Sequence, residues 1–304
     1  MSSNLDLYDV ISKMNFAPKE NVSGLQTGYP TLEENAPFLP GVYLLGALPA
    51  MGKTTFALNL AANICESGTP ILYVSYEQNE DDFACKYLAR CWYLQNLETN
   101  KRTADKTPTA RDIKMRQCDT EPLKKICSEF KEQRKNFYFC HTGDTVTELI
   151  EKELKPRVVN DGVKFIVIDY VQILPSDGAS SAIRMQIDSA IRRLKEFQDE
   201  QKITLLVISS FNRQNYKDYI SFESFKESGG LEYTADVVLG LQFKFVNEKD
   251  RANKTIFQEK LQQNPREIEL VCVKNRYGKL FTCNIEYYSA HDTFLENKKV
   301  RRRY

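Results

Sequence analysis

The sequence of 304 residues contains no long apolar run. Its longest runs, such as 71–74 and 205–208, fall far short of the roughly 20 residues that a membrane-spanning helix needs. The first six residues also lack the basic and then apolar layout of a secretion signal. These absences predict a soluble protein of the cytoplasm that has no membrane partner.

Paired cysteines, clustered histidines and an excess of charge are missing as well. None of the eight cysteines forms a C-x-x-C pair, which predicts reduced core thiols in a cytosol. The only histidines, His141 and His291, are far apart in the chain, which argues against a histidine-rich or structural zinc site. The net charge of +1 removes any whole-protein argument for nucleic-acid binding, so such binding must come from local patches.

What the sequence does contain is an alternation of apolar strands and amphipathic helices. The hydrophobic fraction of 42% and charged fraction of 27% are those of a globular protein. Near-continuous apolar strands between helical stripes predict an α/β fold with a mostly parallel central sheet covered by helices. We expect these strands at 41–45, 71–74, 137–140, 165–168, 205–208 and 237–241. Two later strands, 268–273 and 280–285, predict a C-terminal β-hairpin.

Other stretches interrupt this alternation. Residues 1–35 hold a short amphipathic segment, Leu5 to Met14, and a turn-rich connection, which predicts an arm outside the core. The polar stretches 94–117 and 246–266 are interpreted as surface loops or insertions. The tail has five basic residues in 298–303, and either adds phosphate contacts or is simply solvated. We expect an arm or linker helix over 1–21, one main domain over 22–296 and a basic tail over 297–304.

A phosphate-binding loop is predicted between the first strand and the first helix. The segment ALPAMGKT, residues 47–54, differs from the P-loop pattern only in having Ala47 at the first glycine position. Phosphates need backbone N–H groups at a helix N-terminus, a lysine and a Mg²⁺-binding hydroxyl, which assigns these roles to Gly52, Lys53 and Thr54. The alternative is a chance Gly-Lys-Thr turn. The expected nucleotide contacts are Ala47, Pro49, Met51, Gly52, Lys53, Thr54 and Thr55.

Two carboxylates are candidates for the chemistry at this loop. Asp169 ends an apolar strand, where a P-loop protein places the second magnesium ligand, although it could instead cap the following loop. Tyr170 stands where many ATPases have a catalytic glutamate, so the base must come from elsewhere. Glu77 follows the next strand and would lie at the same sheet edge. It is either that base or one of the solvated acids in 77–82.

Six motifs together resemble the RecA-like motor domain of DnaB-type replicative helicases, over roughly residues 22–296. They are GLQTGY (24–29), ALPAMGKTT (47–55), IVIDYVQ (166–172), SSFNR (209–213), KESGGLE (226–232) and KNRYG (274–278). Alanine at the position of Ala47 is usual in that family. The resemblance implies a RecA-like P-loop fold and an ATP- and Mg²⁺-dependent helicase that acts on single-stranded DNA in replication. It also implies a homo-oligomeric, hexameric ring and partners such as a helicase loader.

The resemblance also assigns roles to individual residues. The carboxylate matching Glu77 activates the attacking water, while Lys274 and Arg276 match a lysine and an arginine finger that reach the neighbouring subunit's γ-phosphate. Without the resemblance, both would be interpreted as a solvated hairpin tip. The loop containing Lys226, Glu227 and Gly229 matches one that contacts the DNA backbone, although it could be an ordinary surface turn. Arg213 is placed near the nucleotide or on the surface.

This chain departs from the family pattern in two ways. Only the segment Leu5 to Met14 stands where the family has a helical N-terminal domain and a linker helix, which bears on primase binding and double-ring geometry. Ser210 stands where the family has a glutamine thought to sense the γ-phosphate. Both departures favour an alternative function, in which a DnaB-like ATPase binds DNA or partners and uses nucleotide for assembly without unwinding.

Overall fold

The sheet of this protein is parallel on one side and antiparallel on the other. The computed structural model describes residues 23–133, 136–170, 183–211, 219–225, 231–245, 250 and 253–296. In this part of the chain, nine strands form one sheet in the order β3-β2-β4-β5-β1-β6-β7-β8-β9. Strands β1 to β6 pair in parallel, whereas β6 to β9 pair antiparallel. The predicted α/β fold and the predicted C-terminal hairpin, β7–β8, are confirmed.

The strands contain the predicted apolar runs, except that β8 begins two residues after the expected start at Leu280. They are β1 Gly41–Ala47, β2 Ile71–Ser75, β3 Phe137–His141, β4 Phe165–Asp169, β5 Thr204–Ser210, β6 Val237–Phe243, β7 Arg266–Asn275, β8 Thr282–Tyr288 and β9 Thr293–Glu296. Every residue of β1, β2, β4 and β6 is buried. Helices on both faces exclude water from these strands, which is why their sequences are almost continuously apolar.

Amphipathic helices connect these strands. They are α1 Pro30–Asn35, α2 Lys53–Glu66, α3 Glu80–Thr99, α4 Lys101–Ala104, α5 Ala110–Lys114, α6 Glu121–Gln133, α7 Val146–Leu149, α8 Lys155–Asp161, α9 Ile183–Gln201, α10 Leu231–Thr234 and α11 Lys254–Gln262. A π-helical turn, Ile150–Leu154, joins α7 to α8. Short 3-10 turns occur at Phe222–Phe225 and Ser289–His291. In the described part of the chain, no helix is both long and apolar enough to cross a membrane.

The segment before β1 belongs to the core, so the expectation that all of 1–35 lies outside it was wrong for the described residues. Tyr29, Leu32 and Phe38 are almost completely buried. Phe38 stacks on Tyr43 of β1 with ring centroids 4.3 Å apart. These apolar residues are spaced irregularly among turn-forming residues, and neither the helix nor the strand period reveals them. The predicted arm over 1–21 and the predicted tail over 297–304 lie outside the described residues.

The stretch 94–117 was interpreted as a surface loop or insertion, and it does lie mostly at the surface, but it contains three helical segments and is not a loop. Helix α3 continues to Thr99, and α4 and α5 follow within it. A capping box between Thr109 and Asp112 starts α5. Since the last six residues of α3 are mostly polar, their pattern resembles that of a loop although their backbone bonds are helical. Helix α11 likewise lies within the stretch 246–266, which was expected to be a surface loop.

The cysteines only partly follow their prediction as core thiols. All eight are free thiols, and Cys65, Cys91, Cys272 and Cys283 are buried. Cys127, by contrast, is exposed on α6. The neighbouring Ile126 is the residue of that turn that is buried.

Candidate functional site

The predicted phosphate loop joins the carboxyl end of β1 to the start of α2. Lys53 is the first residue of α2, and its Nζ donates a 3.3 Å hydrogen bond to the carbonyl of Ala47, the last residue of β1. The lysine side chain therefore folds back along the loop. Met51 is fully buried, whereas Pro49 is exposed. Backbone N–H groups at the start of α2 point out of the helix, where an anion would be bound.

Gly52 is required both by its backbone angle and by its surroundings. Its φ is +84°, and a Cβ there would lie 2.8 Å from Cε1 of Tyr287 and 3.0 Å from Cζ of Phe294. The two rings stack with centroids 4.1 Å apart. Arg266 of β7 donates from Nη1 to the carbonyl of Ala50 at 3.0 Å. The C-terminal strands therefore support the phosphate loop, a contact that sequence analysis missed.

Asp169 lies beside this loop and is the last residue of β4. Its side chain accepts a hydrogen bond from the Thr54 hydroxyl, and its Oδ2 accepts one from Tyr73 Oη at 2.8 Å. Burial raises the pKa of the Asp169 carboxyl, and these two donors act in the opposite direction. Burial and the Asp169 charge raise the pKa of Tyr73 well above its ordinary value, so the phenol remains a donor. Tyr73 was not found by sequence reasoning.

The groups around Asp169 fit a magnesium ion. Thr54 and Asp169 offer the oxygen donors that Mg²⁺ prefers, and they lie within hydrogen-bonding distance of each other. Across the residues the structure describes, no cluster of three or more His, Cys, Asp or Glu side chains could hold a metal ion. One carboxylate and one hydroxyl suit an ion that takes its other ligands from water and from nucleotide phosphates.

Glu77 is close enough to Lys53 for its charge to affect the pKa of the lysine. Burial lowers the pKa of Lys53, and the carboxylates of Asp169 and Glu77 oppose that shift. Glu77 is exposed two residues beyond the end of β2, whose last residue, Ser75, lies in register with Asp169. Helix α3 begins only at Glu80, with Asn79 as its N-cap. Glu77 is therefore outside that helix and at the same sheet edge as the phosphate loop.

Ser210 lies at this edge too. Strand β5 is placed between β4 and β1, and Ser210 at its end is in register with Ala47. The side chain is partly buried. Arg213, the other expected nucleotide contact after β5, lies outside the described residues, and so do Lys226, Glu227 and Gly229 of the expected DNA loop.

Arg276 is found at the opposite end of the strands, near the start of β1. Its Nη1 contacts Oδ1 of Asp236 at 2.7 Å, and Oδ2 of Asp236 accepts from the backbone N–H of Val42 at 2.9 Å. Val42 is near the start of β1, whereas the phosphate loop follows its end. A strand of this length spans about 20 Å, which an arginine side chain cannot bridge. Arg276 cannot reach the phosphate loop of its own chain.

Lys274 lies near the end of β7, two residues before Arg276. Its Nζ donates to the carbonyl of Tyr233 at 2.8 Å. Tyr233 belongs to α10, which follows the undescribed residues 226–230 directly. Lys274 therefore connects the C-terminal hairpin to the segment that follows the expected DNA loop.

Thr55 is turned toward the C-terminal strands. Its hydroxyl donates to Oδ1 of Asp292 at 3.1 Å, and it is buried. Asn59, one turn later on α2, donates to the carbonyl of Asp292 at 2.9 Å. Burial raises the pKa of Asp292, and the nearby Lys86 ammonium opposes this shift. Any contact from Thr55 to a nucleotide would use its backbone N–H, since its hydroxyl is engaged. Sequence reasoning did not find Asp292.

Comparisons with known proteins agree with this geometry. The family model described as "DnaB-like helicase C terminal domain" matches residues 24–296. The replicative DNA helicase DnaB of Pasteurella multocida is 24% identical over 99% of this chain and 62% of its own length. A probable plasmid replicative DNA helicase of Chlamydia psittaci is 24% identical over 92% of this chain and 57% of its own length. The chain thus spans about three-fifths of these relatives.

Two solved structures share the fold. The ATPase domain of G40P superimposes with a TM-score of 0.74 at 21% identity, covering 96% of both chains. A DnaB-like replicative helicase, solved in a study of its interactions with primase, also gives a TM-score of 0.74, at 20% identity. That match covers 96% of this chain and 66% of the other.

Proposed function

This chain belongs to the DnaB-like helicase C-terminal domain family, and from that membership we propose that it is an ATP-hydrolysing, ring-forming helicase that moves on single-stranded DNA. One observation carries the proposal. The phosphate loop and Asp169 lie at the carboxyl ends of the parallel strands, while Arg276 is held near their amino ends. A site divided in this way is suited to chains that complete one another's ATP sites.

The proposed chemistry is the transfer of the γ-phosphoryl group of ATP to water. Lys53 and the N–H groups at the start of α2 bind the phosphates, while Thr54 and Asp169 hold magnesium, which neutralises phosphate charge when bound. Glu77 orients the attacking water and accepts its proton. Most of the rate enhancement then comes from positioning and from charge stabilisation.

The location of Arg276 supports an assembly in which chains contact head to tail. Such a contact uses two different surfaces, and it closes into a ring when the rotation between neighbours allows it. We propose a hexamer in the cytoplasm, with a helicase loader or other replication proteins as further partners. Arg276 and Lys274 then act on the γ-phosphate of the neighbour.

Action in trans can be tested by mixing two inactive variants. Arg276→Ala chains keep an intact phosphate loop, and Lys53→Ala chains keep an intact Arg276. Mixed assemblies contain some interfaces that pair both intact groups, so ATP hydrolysis is expected to return in part. The measurement is ATPase rate against mixing ratio. An absence of recovery, in mixtures shown by crosslinking to co-assemble, would contradict action in trans.

The DNA site can be tested through salt dependence. Lys226→Ala is expected to reduce the slope of log affinity against log salt by about one phosphate contact, because each contact releases condensed counterions. The measurement is the anisotropy of a labelled oligothymidine at several salt concentrations. If slope and affinity both stay at the parent values, the site lies elsewhere, and the basic residues of 101–116 are the next to test.

Strand displacement distinguishes unwinding from the alternative of nucleotide-driven assembly. Ser210 favours the alternative, because its short side chain at the edge beside Ala47 offers a single donor toward a bound phosphate. A helicase should separate a forked duplex with ATP, and the Lys53→Ala variant should not. Nucleotide-dependent assembly on DNA without displacement by the parent chain would support the alternative.

A further inference from the structure

Tyr73 occupies an unusual position for a buried tyrosine. It lies in the middle of β2 and is fully buried, and its neighbour across the sheet is Val167 of β4. Its Oη lies 2.8 Å from Oδ2 of Asp169 and 3.4 Å from the carbonyl oxygen of Thr54. The hydroxyl thus points toward the two residues to which we assign magnesium.

Packing fixes the orientation of this hydroxyl. The Tyr73 ring packs against Phe83 of α3 with centroids 4.6 Å apart, and the ring of Phe139 of β3 lies on from there at 6.2 Å. A phenylalanine would fill the same apolar space without the cost of burying a phenol. The hydroxyl is therefore explained by its acceptor, Asp169, and not by the packing of the ring.

We propose that Tyr73 is a positioning residue, which holds the Asp169 carboxylate in the orientation that magnesium binding requires. This inference rests on the proposed function. A carboxylate has about four acceptor sites, so the bond from Tyr73 to Oδ2 leaves sites for the Thr54 hydroxyl and for a metal or its water. The bond also restricts rotation of a carboxylate that is almost completely buried. Hydrogen bonds to metal-binding carboxylates commonly act in this way.

The test is Tyr73→Phe, which removes the hydroxyl and keeps the ring. The measurement is binding of a fluorescent ADP analogue at increasing Mg²⁺ concentrations. The Mg²⁺ concentration at half-saturation is expected to rise about 10-fold, a typical effect of losing such a supporting bond. Binding of the analogue in EDTA is expected to be unchanged, because the phosphate loop itself is intact.

Tyr43→Phe is the matched control. Tyr43 is also a fully buried strand tyrosine, and its hydroxyl donates to the carbonyl of Pro37 at 2.8 Å, near the other edge of the sheet. The Tyr43 hydroxyl also accepts a hydrogen bond from the backbone N–H of Leu39 at 2.8 Å. Both variants therefore lose hydrogen bonds of a buried tyrosine and should lose thermal stability. Only Tyr73→Phe is expected to shift the magnesium midpoint. An unshifted midpoint in Tyr73→Phe, with melting temperatures reduced in both variants, would overturn the inference.

Asp169→Asn provides a second measurement. If Tyr73 acts through the carboxylate, adding Tyr73→Phe to Asp169→Asn should produce no further change in the magnesium midpoint. Independent shifts that add would overturn the inference.

Measurements on the parent chain distinguish a failure of the inference from a failure of the proposed function. If nucleotide binding by the parent does not depend on Mg²⁺, the proposed function and the inference are both contradicted. A magnesium-dependent parent with an unshifted Tyr73→Phe variant would remove the inference alone.

Discussion

Replacing Lys53 by alanine is expected to reduce ATP turnover to background while the far-UV circular dichroism spectrum stays that of the parent. Alanine keeps the backbone N–H at the start of α2, and burial already disfavours the charge of the Lys53 ammonium in the folded chain. Its removal should therefore not destabilise the fold. The measurement is phosphate release at saturating ATP and Mg²⁺, with the spectrum recorded on the same preparation.

Lys164→Ala is the matched control for Lys53→Ala. Lys164 is exposed just before β4, at the opposite edge of the sheet from the phosphate loop. Its replacement removes the same charge from the chain and should leave turnover at the parent rate. Near-parent turnover in Lys53→Ala itself would contradict the assignment of residues 47–54 as a phosphate loop.

Glu77→Gln is expected to bind ATP with near-parent affinity and to hydrolyse it at least about 100-fold more slowly, the scale of losing a general base. The amide keeps the size of the side chain but cannot accept the proton from water. Loss of the negative charge should also leave Lys53 without one of the two carboxylates that favour its charged form. The measurements are single-turnover hydrolysis and equilibrium binding of a fluorescent ATP analogue.

Glu80→Gln is the control for that substitution. Glu80 is three residues further on, exposed in the first turn of α3, and its replacement makes the same change of charge. It should leave hydrolysis unchanged. Equal activity in Glu77→Gln and the parent would show that Glu77 is a solvated acid, as its exposure alone would also allow.

The parts of the fold that sequence analysis predicted correctly are those with local signals. Strands β1, β2 and β4 are buried along their whole length, so their sequences are apolar at nearly every position, and the strand signal is strong. The Gly-Lys-Thr segment marks the start of α2 because the backbone at Gly52 has a positive φ that other residues rarely adopt. Both features can be recognised within about ten residues of sequence.

The remaining contacts could not be predicted because they depend on strand order. Tyr73 and Asp169 are 96 residues apart in sequence, and they meet only because β2 lies next to β4. In the sequence, Tyr73 is simply one more apolar strand residue. Asp292 similarly stands in the turn before β9, where the sequence does not distinguish it from a solvated loop acid, and its contact with Thr55 depends on where β9 lies.

The support of Gly52 by Tyr287 and Phe294 couples the two ends of the described domain thermodynamically. Thr55 and Asp292 are 237 residues apart in sequence, yet loosening β8 and β9 would remove the contacts that shape the phosphate loop. A ligand that binds only the intact loop therefore stabilises these strands by the same free energy. Local opening of the C-terminal strands should accordingly become rarer as nucleotide concentration rises, although no nucleotide atom need touch them.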